Sequence, residues 1–255
     1  MKQHWIGGKF ISSTSQSFPV INPATEEMLE EVARGGAADA DAAANAAAEA
    51  YRDWKFVPGL EKAEKMHEFA GRLRNKKEEI ATLMTQEGGK PLIENLDEVE
   101  WVAACFDYYA EVGRDYKGKV IAPVFRHQIN FTVKEPYGVV ACIVPWNYPL
   151  LLMSWKVAAA LAAGNTVVIK PSEHTPLSTL ALAEMFEVFP PGVVNIVAGY
   201  GVEVGEPLVT HPKVAKIAFT GSVDAGRKIA VLAAERLKKV SLELSGSDPL
   251  IVCDD

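Results

Sequence analysis

The second half of the chain alternates short apolar runs with stretches of helical periodicity, and this alternation constrains the fold more than any other feature. The apolar runs, predicted as strands, lie at 139–144, 166–170, 193–197, 215–220 and 241–244. The stretches between them, predicted as helices, lie at 150–163, 177–189, 205–210 and 225–237. This spacing is typical of a parallel, doubly wound α/β sheet. Because such sheets bind ligands at the carboxyl ends of their strands, we expect functional residues in the loops that follow them.

The first half of the chain, to about residue 113, is predicted to be helical. Helical periodicity covers 39–54, 61–86 and 95–112, and the Gly88-Gly89 pair before Pro91 is typical of a helix end. Residues 128–134 then alternate in an extended pattern before a turn at 136–138, which predicts a projecting strand. We therefore expect three parts, which are 1–114, 115–137 and 138–255.

Composition narrows the classes of partner. The 255 residues carry a formal net charge of −7 and no basic run, which argues against nucleic acid. We expect no membrane partner, because the apolar stretches fall short of the ~20 residues of a spanning helix. The N-terminus has no apolar signal core. Cys105, Cys142 and Cys253 form neither a disulfide framework nor a metal-ligand spacing, so we expect a reduced, cytoplasmic protein without bound metal.

The loop after the first predicted strand of this sheet holds an asparagine between two prolines. Pro145 and Pro149 restrict the backbone on either side of Asn147, whose side-chain amide can donate a hydrogen bond. A rigid amide donor is what an oxyanion site requires. An asparagine in a turn is also common without any function, and Asn147 considered alone favours that interpretation.

Two further loops carry residues suited to a dinucleotide. Lys170 and Glu173 follow the second predicted strand, where a carboxylate binds the adenosine ribose in dinucleotide-binding folds. A surface lysine and a glutamate in the first turn of a helix fit that position equally well. Gly221 and Ser222 follow the fourth strand, where backbone amides can approach a pyrophosphate. The spacing differs from G-x-G-x-x-G, so the glycines alone predict this site weakly.

The fifth predicted strand carries Glu243 close to its end. We expect poor solvation there to raise the pKa of Glu243 toward the range of a general base. The alternative is a structural glutamate that pairs with a nearby lysine such as Lys239.

Taken in order, these segments resemble the aldehyde dehydrogenase superfamily. The segments are Pro145-Trp146-Asn147-Tyr148-Pro149, Lys170-Pro171-Ser172-Glu173, Phe219-Thr220-Gly221-Ser222 and Leu242-Glu243-Leu244. Residues 22–25 and 89–91 also resemble family segments, of a structural kind, and the resemblance extends from about residue 5 to residue 255. It implies that 1–114 and 138–255 are the helical part and the Rossmann-like core of a coenzyme-binding domain. Residues 115–137 would be projecting oligomerisation strands.

The resemblance implies NAD-dependent oxidation of an aldehyde to the carboxylic acid. A cysteine thiolate would attack the carbonyl, Asn147 would help to hold the oxyanion, and Glu243 would activate the water that releases the acid. The implied substrate contacts are Tyr148, Leu152 and Trp155. The implied coenzyme contacts are Ile143, Val144, Trp146, Lys170, Ser172, Glu173, Gly205, Phe219, Gly221, Ser222 and Leu244. Lys170 and Glu173 would hold the ribose, with Gly221 and Ser222 beside the pyrophosphate.

The sequence departs from the family pattern in two places. Residues 243–247 read Glu-Leu-Ser-Gly-Ser where the family usually has Glu-Leu-Gly-Gly-Lys, and certain succinate-semialdehyde enzymes share the Gly-Ser-Asp-Pro run of 246–249. The family nucleophile lies downstream of the glutamate motif in a separate segment. Cys253 lies too close to Glu243, in a predicted strand at 250–253, to take that role. We therefore expect a coenzyme-binding half that lacks the nucleophile, the catalytic domain and the last strand of the oligomerisation sheet.

The sequence allows more than one aldehyde as the substrate. Tyr148 and Trp155 match an aromatic box of betaine-aldehyde and aminoaldehyde dehydrogenases, whose ring faces attract ammonium groups. Glu98 and Glu100 would add negative potential near the entrance, or would simply be solvated. These features place betaine or amino aldehydes slightly ahead of succinate semialdehyde or a broad range. Glu173 would repel a 2′-phosphate, which favours NAD, although the neighbouring lysine leaves room for NADP.

Two other functions compete with aldehyde oxidation. The chain could be a catalytically inactive NAD-binding or interaction module, or could have an esterase-like side activity, which in this family also needs the cysteine. The intact family enzyme is a homo-oligomer. For this chain we expect exposed apolar surface and self-association, together with an unpaired strand edge at 128–134.

Overall fold

Strands and helices alternate along most of the computed structural model, which describes residues 1–11 and 16–254. The strands are β1 (His4–Ile6), β2 (Lys9–Ile11), β3 (Ser17–Ile21), β4 (Met28–Ala33), β5 (Val120–Ile121), β6 (Asn130–Phe131), β7 (Val139–Ile143), β8 (Thr166–Lys170), β9 (Val194–Ile196), β10 (Val214–Gly221) and β11 (Lys239–Leu244). The α-helices are α1 (Ala37–Trp54), α2 (Gly59–Asn75), α3 (Lys77–Gly88), α4 (Leu92–Asp115), α5 (Pro149–Ala162), α6 (Leu177–Ala181), α7 (Glu206–Thr210) and α8 (Val223–Ala234). A 3-10 helix (Glu184–Val188) follows α6, and a π-helical turn (Gly201–Gly205) precedes α7.

A seven-stranded sheet organises the molecule, in the order β11-β10-β7-β8-β9-β1-β2. The strands from β11 to β9 are parallel, whereas β1 pairs antiparallel with both β9 and β2. The chain adds β8 and β9 on one side of β7, and β10 and β11 on the other. The doubly wound α/β prediction is therefore confirmed. The direction of winding reverses between β7 and β10, where such sheets open a ligand crevice.

Helices cover both faces of the sheet, which is why its central strands are apolar along their whole length. Every residue of β7, β8 and β9 is buried. On one face, α2, α4, α5 and α6 pack with alternate strand residues such as Val140, Cys142 and Ile169 in one core. On the other face, α1, α7 and α8 pack with Ala141, Val168 and others. The two cores hold the strand ends in fixed positions.

The prediction that the first 113 residues are helical is wrong for their first third. Four strands precede α1, and the hairpin β1–β2 joins the main sheet through the pair Trp5 and Ile196. These strands have only three to six residues, which is too short for local periodicity to reveal them. The three predicted helices are present, but the predicted helix 61–86 is divided at Lys76, whose φ of −111° and ψ of 18° leave the helical region.

Three further predictions are corrected. The predicted helix 177–189 is the short helix α6 followed by the 3-10 helix. The predicted strand 128–134 is reduced to β6, which pairs with β5 in a small separate hairpin. The predicted strand 250–253 has no regular structure, and Leu250, Ile251 and Val252 are each more than 80% exposed. A run of apolar residues forms a strand only where a neighbouring strand can pair with it.

Candidate active site

The carboxyl ends of four parallel strands bring the predicted functional loops to one edge of the sheet. Ile143, at the end of β7, lies opposite Lys170 of β8 and opposite Phe219 of β10. Thr220 of β10 lies opposite Glu243 of β11. The segments that are scattered over a hundred residues of sequence therefore meet around the crevice between β7 and β10.

The loop between β7 and α5 presents Trp146 and Asn147 to solvent, with Trp146 55% exposed. The side-chain amide of Asn147 has no hydrogen-bond partner among the described residues, so it is free to donate to a ligand. Pro149 forms the first turn of α5, where its missing amide hydrogen costs nothing. Directly before this loop, Ile143 and Val144 are almost completely buried.

Lys170 and Glu173 form an ion pair after β8, with 3.1 Å between Nζ and Oε2. Lys170 is buried, so the interpretation as a surface lysine is wrong. Burial lowers the pKa of Lys170, although Glu173 opposes this change. Burial also acts to raise the pKa of Glu173, but the charge of Lys170 and hydrogen bonds outweigh it, and the net pKa is lowered. Ser172 is buried between them and accepts a bond from the backbone amide of His174.

The aromatic ring of Phe219 and the N-cap of α8 shape the loop after β10. A Cβ atom on Gly221 would lie 2.5 Å from Cζ of Phe219, so only glycine lets this ring pack against the loop. Ser222 is the N-cap of α8, because its hydroxyl accepts a hydrogen bond from the amide of Ala225 at 3.3 Å. Gly205 lies at the start of α7, and a Cβ there would be 3.9 Å from Cδ1 of Ile143, so Gly205 is a neighbour of the end of β7.

Glu243 is the centre of a polar triad that the sequence did not predict. Its Oε2 accepts hydrogen bonds from the hydroxyl of Thr220 at 2.7 Å and from Nζ of Lys156 at 3.1 Å. The side chain of Glu243 is 53% exposed, whereas that of Lys156 is 6% exposed. Burial acts to raise the pKa of Glu243, but Thr220 and Lys156 outweigh it and the net pKa is lowered. The prediction of a raised pKa is therefore wrong, and the partner is Lys156 rather than Lys239.

The predicted substrate contacts lie along α5 and at the residue that precedes it. Tyr148, Leu152 and Trp155 are separated by four and three residues, a spacing that places side chains on the same side of a helix. Trp155 is 47% exposed and borders a cleft of about 320 Å³ that Lys156 and Phe219 also line. The backbone carbonyl of Leu152 accepts a hydrogen bond from Nζ of Lys156 at 3.3 Å.

The ring of Tyr148 lies against a second ammonium group. Nζ of Lys90 is 3.6 Å from the centroid of this ring, a distance at which the ring face attracts a cation. The ring of Tyr148, which the aromatic-box prediction assigns to a substrate ammonium, therefore already has a lysine of the chain itself over one face.

Two of the three cysteines are unsuited to nucleophilic chemistry. Burial raises the pKa of the Cys142 thiol to about 12, and burial also raises the pKa of Cys105. A thiol reacts as the thiolate, so both groups are protonated and inert near neutral pH. Cys253 is exposed on the irregular segment after β11.

Sequence reasoning assigned no role to Lys90 or Lys156, and it misplaced Glu98. Lys156 interrupts an otherwise apolar helix, and a lysine on a buried helix face is a signal for a buried partner. Glu98 was predicted at the entrance or in solvent, yet its side chain is fully buried. Two of its partners, the amides of Leu150 and Leu151, are 52 and 53 residues away in sequence, so only the fold reveals its position.

Known proteins are similar to this chain in sequence and in fold. The sequence model described as "Aldehyde dehydrogenase family" matches residues 10–255. Betaine aldehyde dehydrogenase 1 of Oryza sativa subsp. japonica is 45% identical over 98% of this chain and 51% of its own length. The mitochondrial succinate-semialdehyde dehydrogenase of Arabidopsis thaliana is 42% identical over 99% of this chain and 48% of its own length.

A solved structure shows the same fold. The NAD+ complex of an aldehyde dehydrogenase from Bacillus cereus superposes with a TM-score of 0.95 and 40% identity, over 100% of this chain and 53% of that one. The chain thus spans about half the length of the relatives that it matches. None of the helices that the described residues form has the length and apolar composition needed to cross a membrane.

Proposed function

Because this chain belongs to the aldehyde dehydrogenase family, we propose that it forms the coenzyme-binding half of an enzyme that oxidises an aldehyde to the carboxylic acid with NAD. The observation that carries this proposal is the convergence of the loops after β7, β8, β10 and β11 on one crevice. NAD, when bound, would accept the hydride from the substrate. The residues of the chain would bind and orient the coenzyme and the substrate carbonyl.

Lys170 and Glu173 are proposed to hold the adenosine ribose. Glu173 is ionised at neutral pH, because its pKa is lowered, and a carboxylate accepts hydrogen bonds from ribose hydroxyls. The same negative charge would repel the 2′-phosphate of NADP, which supports NAD as the coenzyme. Ser222 and the start of α8 would lie beside the pyrophosphate, with Trp146 and Phe219 at the edges of the crevice.

Asn147 and Glu243 are proposed as the oxyanion donor and the general base. The free amide of Asn147 can donate to a developing oxyanion without first breaking an internal hydrogen bond. Glu243 is held by Thr220 and Lys156 in this structure, and its lowered pKa keeps it ionised, which is the state in which a carboxylate can accept a proton.

The nucleophile is proposed to come from outside this chain. The thiols of Cys105 and Cys142 have raised pKa values, and Cys253 lies on an exposed irregular segment. Betaine or amino aldehydes are the favoured substrates, supported by the exposed ring of Trp155 and by the similarity to the rice enzyme. Succinate semialdehyde is the second candidate, supported by the similarity to the Arabidopsis enzyme.

Calorimetric titration of the chain with NAD and with NADP tests the proposed coenzyme site. We expect saturable NAD binding that is tighter than NADP binding. Glu173→Gln should weaken NAD binding about tenfold, or about 1.4 kcal/mol, through loss of a charged acceptor. Glu184→Gln, which changes an exposed glutamate nearby, is the matched control. The proposal fails if NAD does not bind, or if both variants have the same effect.

Aldehyde oxidation by the same preparation separates the proposed half enzyme from a self-sufficient one. We expect no turnover of betaine aldehyde or succinate semialdehyde by the isolated chain, because it would lack a reactive thiolate. Robust turnover would show that the chain supplies its own nucleophile. An esterase-like activity, measured with an activated ester, should be lacking for the same reason.

A further inference from the structure

A buried ion pair lies behind the loop that carries Asn147. Glu98, in the second turn of α4, has a side chain that is 0% exposed, and the side chain of Lys90, just before α4, is 18% exposed. The two side chains form a hydrogen-bonded ion pair. Two buried charges are stable only if they are paired and their remaining polar groups are satisfied, so their other contacts show what the pair does.

Glu98 holds the start of α5. Its Oε1 accepts hydrogen bonds from the backbone amides of Leu150 at 3.1 Å and Leu151 at 3.0 Å. Tyr148, the N-cap residue of α5, provides no side-chain cap. A carboxylate at a helix N-terminus satisfies free amides and interacts favourably with the helix dipole. Glu98 therefore replaces the missing cap from another helix.

Lys90 holds the loop itself. Its Nζ lies 3.4 Å from the backbone carbonyl of Asn147 and 3.6 Å from the centroid of the Tyr148 ring. A cation over a ring face is attracted by the π electrons, more strongly where water is excluded. The ammonium thus contacts the backbone of one residue and the ring of the next.

The segment before α4 holds the backbone of Lys90 in a fixed position. Gly89 ends α3 in the left-handed conformation, with φ of 74°, and a Cβ there would lie 2.8 Å from Cγ of Pro23. The buried amide of Asn95 donates a hydrogen bond to the carbonyl of Lys90 at 3.3 Å. Segment 89–91, which resembles a structural segment of the family, therefore fixes the position of the Lys90 ammonium group.

From these contacts we propose that Lys90 and Glu98 are positioning residues that fix the direction of the Asn147 amide. The proposal rests on the proposed function, in which Asn147 is the oxyanion donor. Because the Asn147 side chain has no partner among the described residues, its backbone sets the direction in which it leaves the loop, and the pair holds that backbone at the carbonyl of Asn147 and at the amides of Leu150 and Leu151. A fixed donor is what preorganised stabilisation of charge requires.

Nuclear magnetic resonance of the 255-residue chain tests the pair directly. In the unmodified chain, the Lys90 ε protons should be shifted upfield by the Tyr148 ring, and the Asn147 side-chain amide should give one sharp pair of signals. Lys90→Met should broaden or split the Asn147 signals. Lys90→Arg should leave them sharp, because arginine keeps the charge and stacks on rings. Asp97→Asn, which changes an exposed residue on the same helix, should leave them unaltered.

Should Lys90→Met fail to fold, the double variant Lys90→Met/Glu98→Gln removes both charges and should still broaden the signals. Sharp Asn147 signals in Lys90→Met, or equal broadening in Lys90→Arg, would overturn the proposal. Loss of NAD binding by the unmodified chain would instead overturn the proposed function, so the two failures are distinguishable.

Discussion

At the scale of single residues, the positions of the candidate functional residues were easier to predict than the direction of their pKa shifts. The loops that hold Asn147, Glu173 and Ser222 follow strands, as the alternation of elements indicates. The state of Glu243 was predicted wrongly, because its partner Lys156 is 87 residues away in sequence. A pKa depends on every charge and donor within a few ångströms, and local sequence does not contain that list.

Lys156→Met should raise the pKa of Glu243. In the native chain, Thr220 and Lys156 outweigh the effect of burial, so removing the ammonium leaves burial opposed by one hydroxyl only. A ¹³C titration of the Glu243 carboxyl group measures this change. Lys216→Met is the matched control, because Lys216 donates to Ser241 rather than to Glu243. An unchanged pKa in Lys156→Met would show that Lys156 does not hold the carboxylate.

At the scale of elements, the parallel strands were predictable and the pairing of short strands was not. The strands β7, β8 and β10 are continuous and largely apolar, so their bounds differ from prediction by no more than a residue. Hairpin β1–β2 joins the sheet by pairing with β9, which is distant in sequence. Strand β6 pairs with β5, which has only two residues. Side-chain contacts between helices are equally hard to predict from local sequence, and an example is the pairing of His67 of α2 with Asp107 and Glu111 of α4.

His67 of α2 should make stability depend on pH. Its ring nitrogens contact Glu111 at 2.9 Å and Asp107 at 2.6 Å on α4, and these hydrogen bonds raise the pKa of His67. A raised folded pKa contributes stability that is full below the unfolded pKa of about 6.5 and is lost as pH rises through the folded pKa.

Thermal unfolding of the native chain and of His67→Gln across about pH 6 to pH 9 measures this contribution. The native chain should have the higher Tm at the acidic end, and the difference should shrink as pH rises. Comparing two proteins at each pH removes the opposite contribution of buried His4, whose pKa is lowered by burial. A difference that is constant with pH would contradict the assignment.

At the scale of the whole molecule, apolar surface is concentrated on the hairpin β5–β6 and its surroundings. Val120 is 87% exposed, Ile129 82% and Phe131 65%. Exposed apolar clusters of this kind favour association between molecules. We expect light scattering after size-exclusion chromatography to give a mass above the 27.7 kDa of one chain. Phe131→Lys should reduce that mass, and a native monomer would contradict the expectation.

The central claim is that NAD binds in the crevice at the carboxyl ends of β7, β8 and β10. Amide resonances of the labelled chain, followed during titration with NAD, test it residue by residue. We predict that the largest saturable changes fall on the loops that hold Trp146, Glu173 and Ser222. Changes confined to the cleft beside Tyr137 and Ser241, or no saturable change at any loop, would contradict the account.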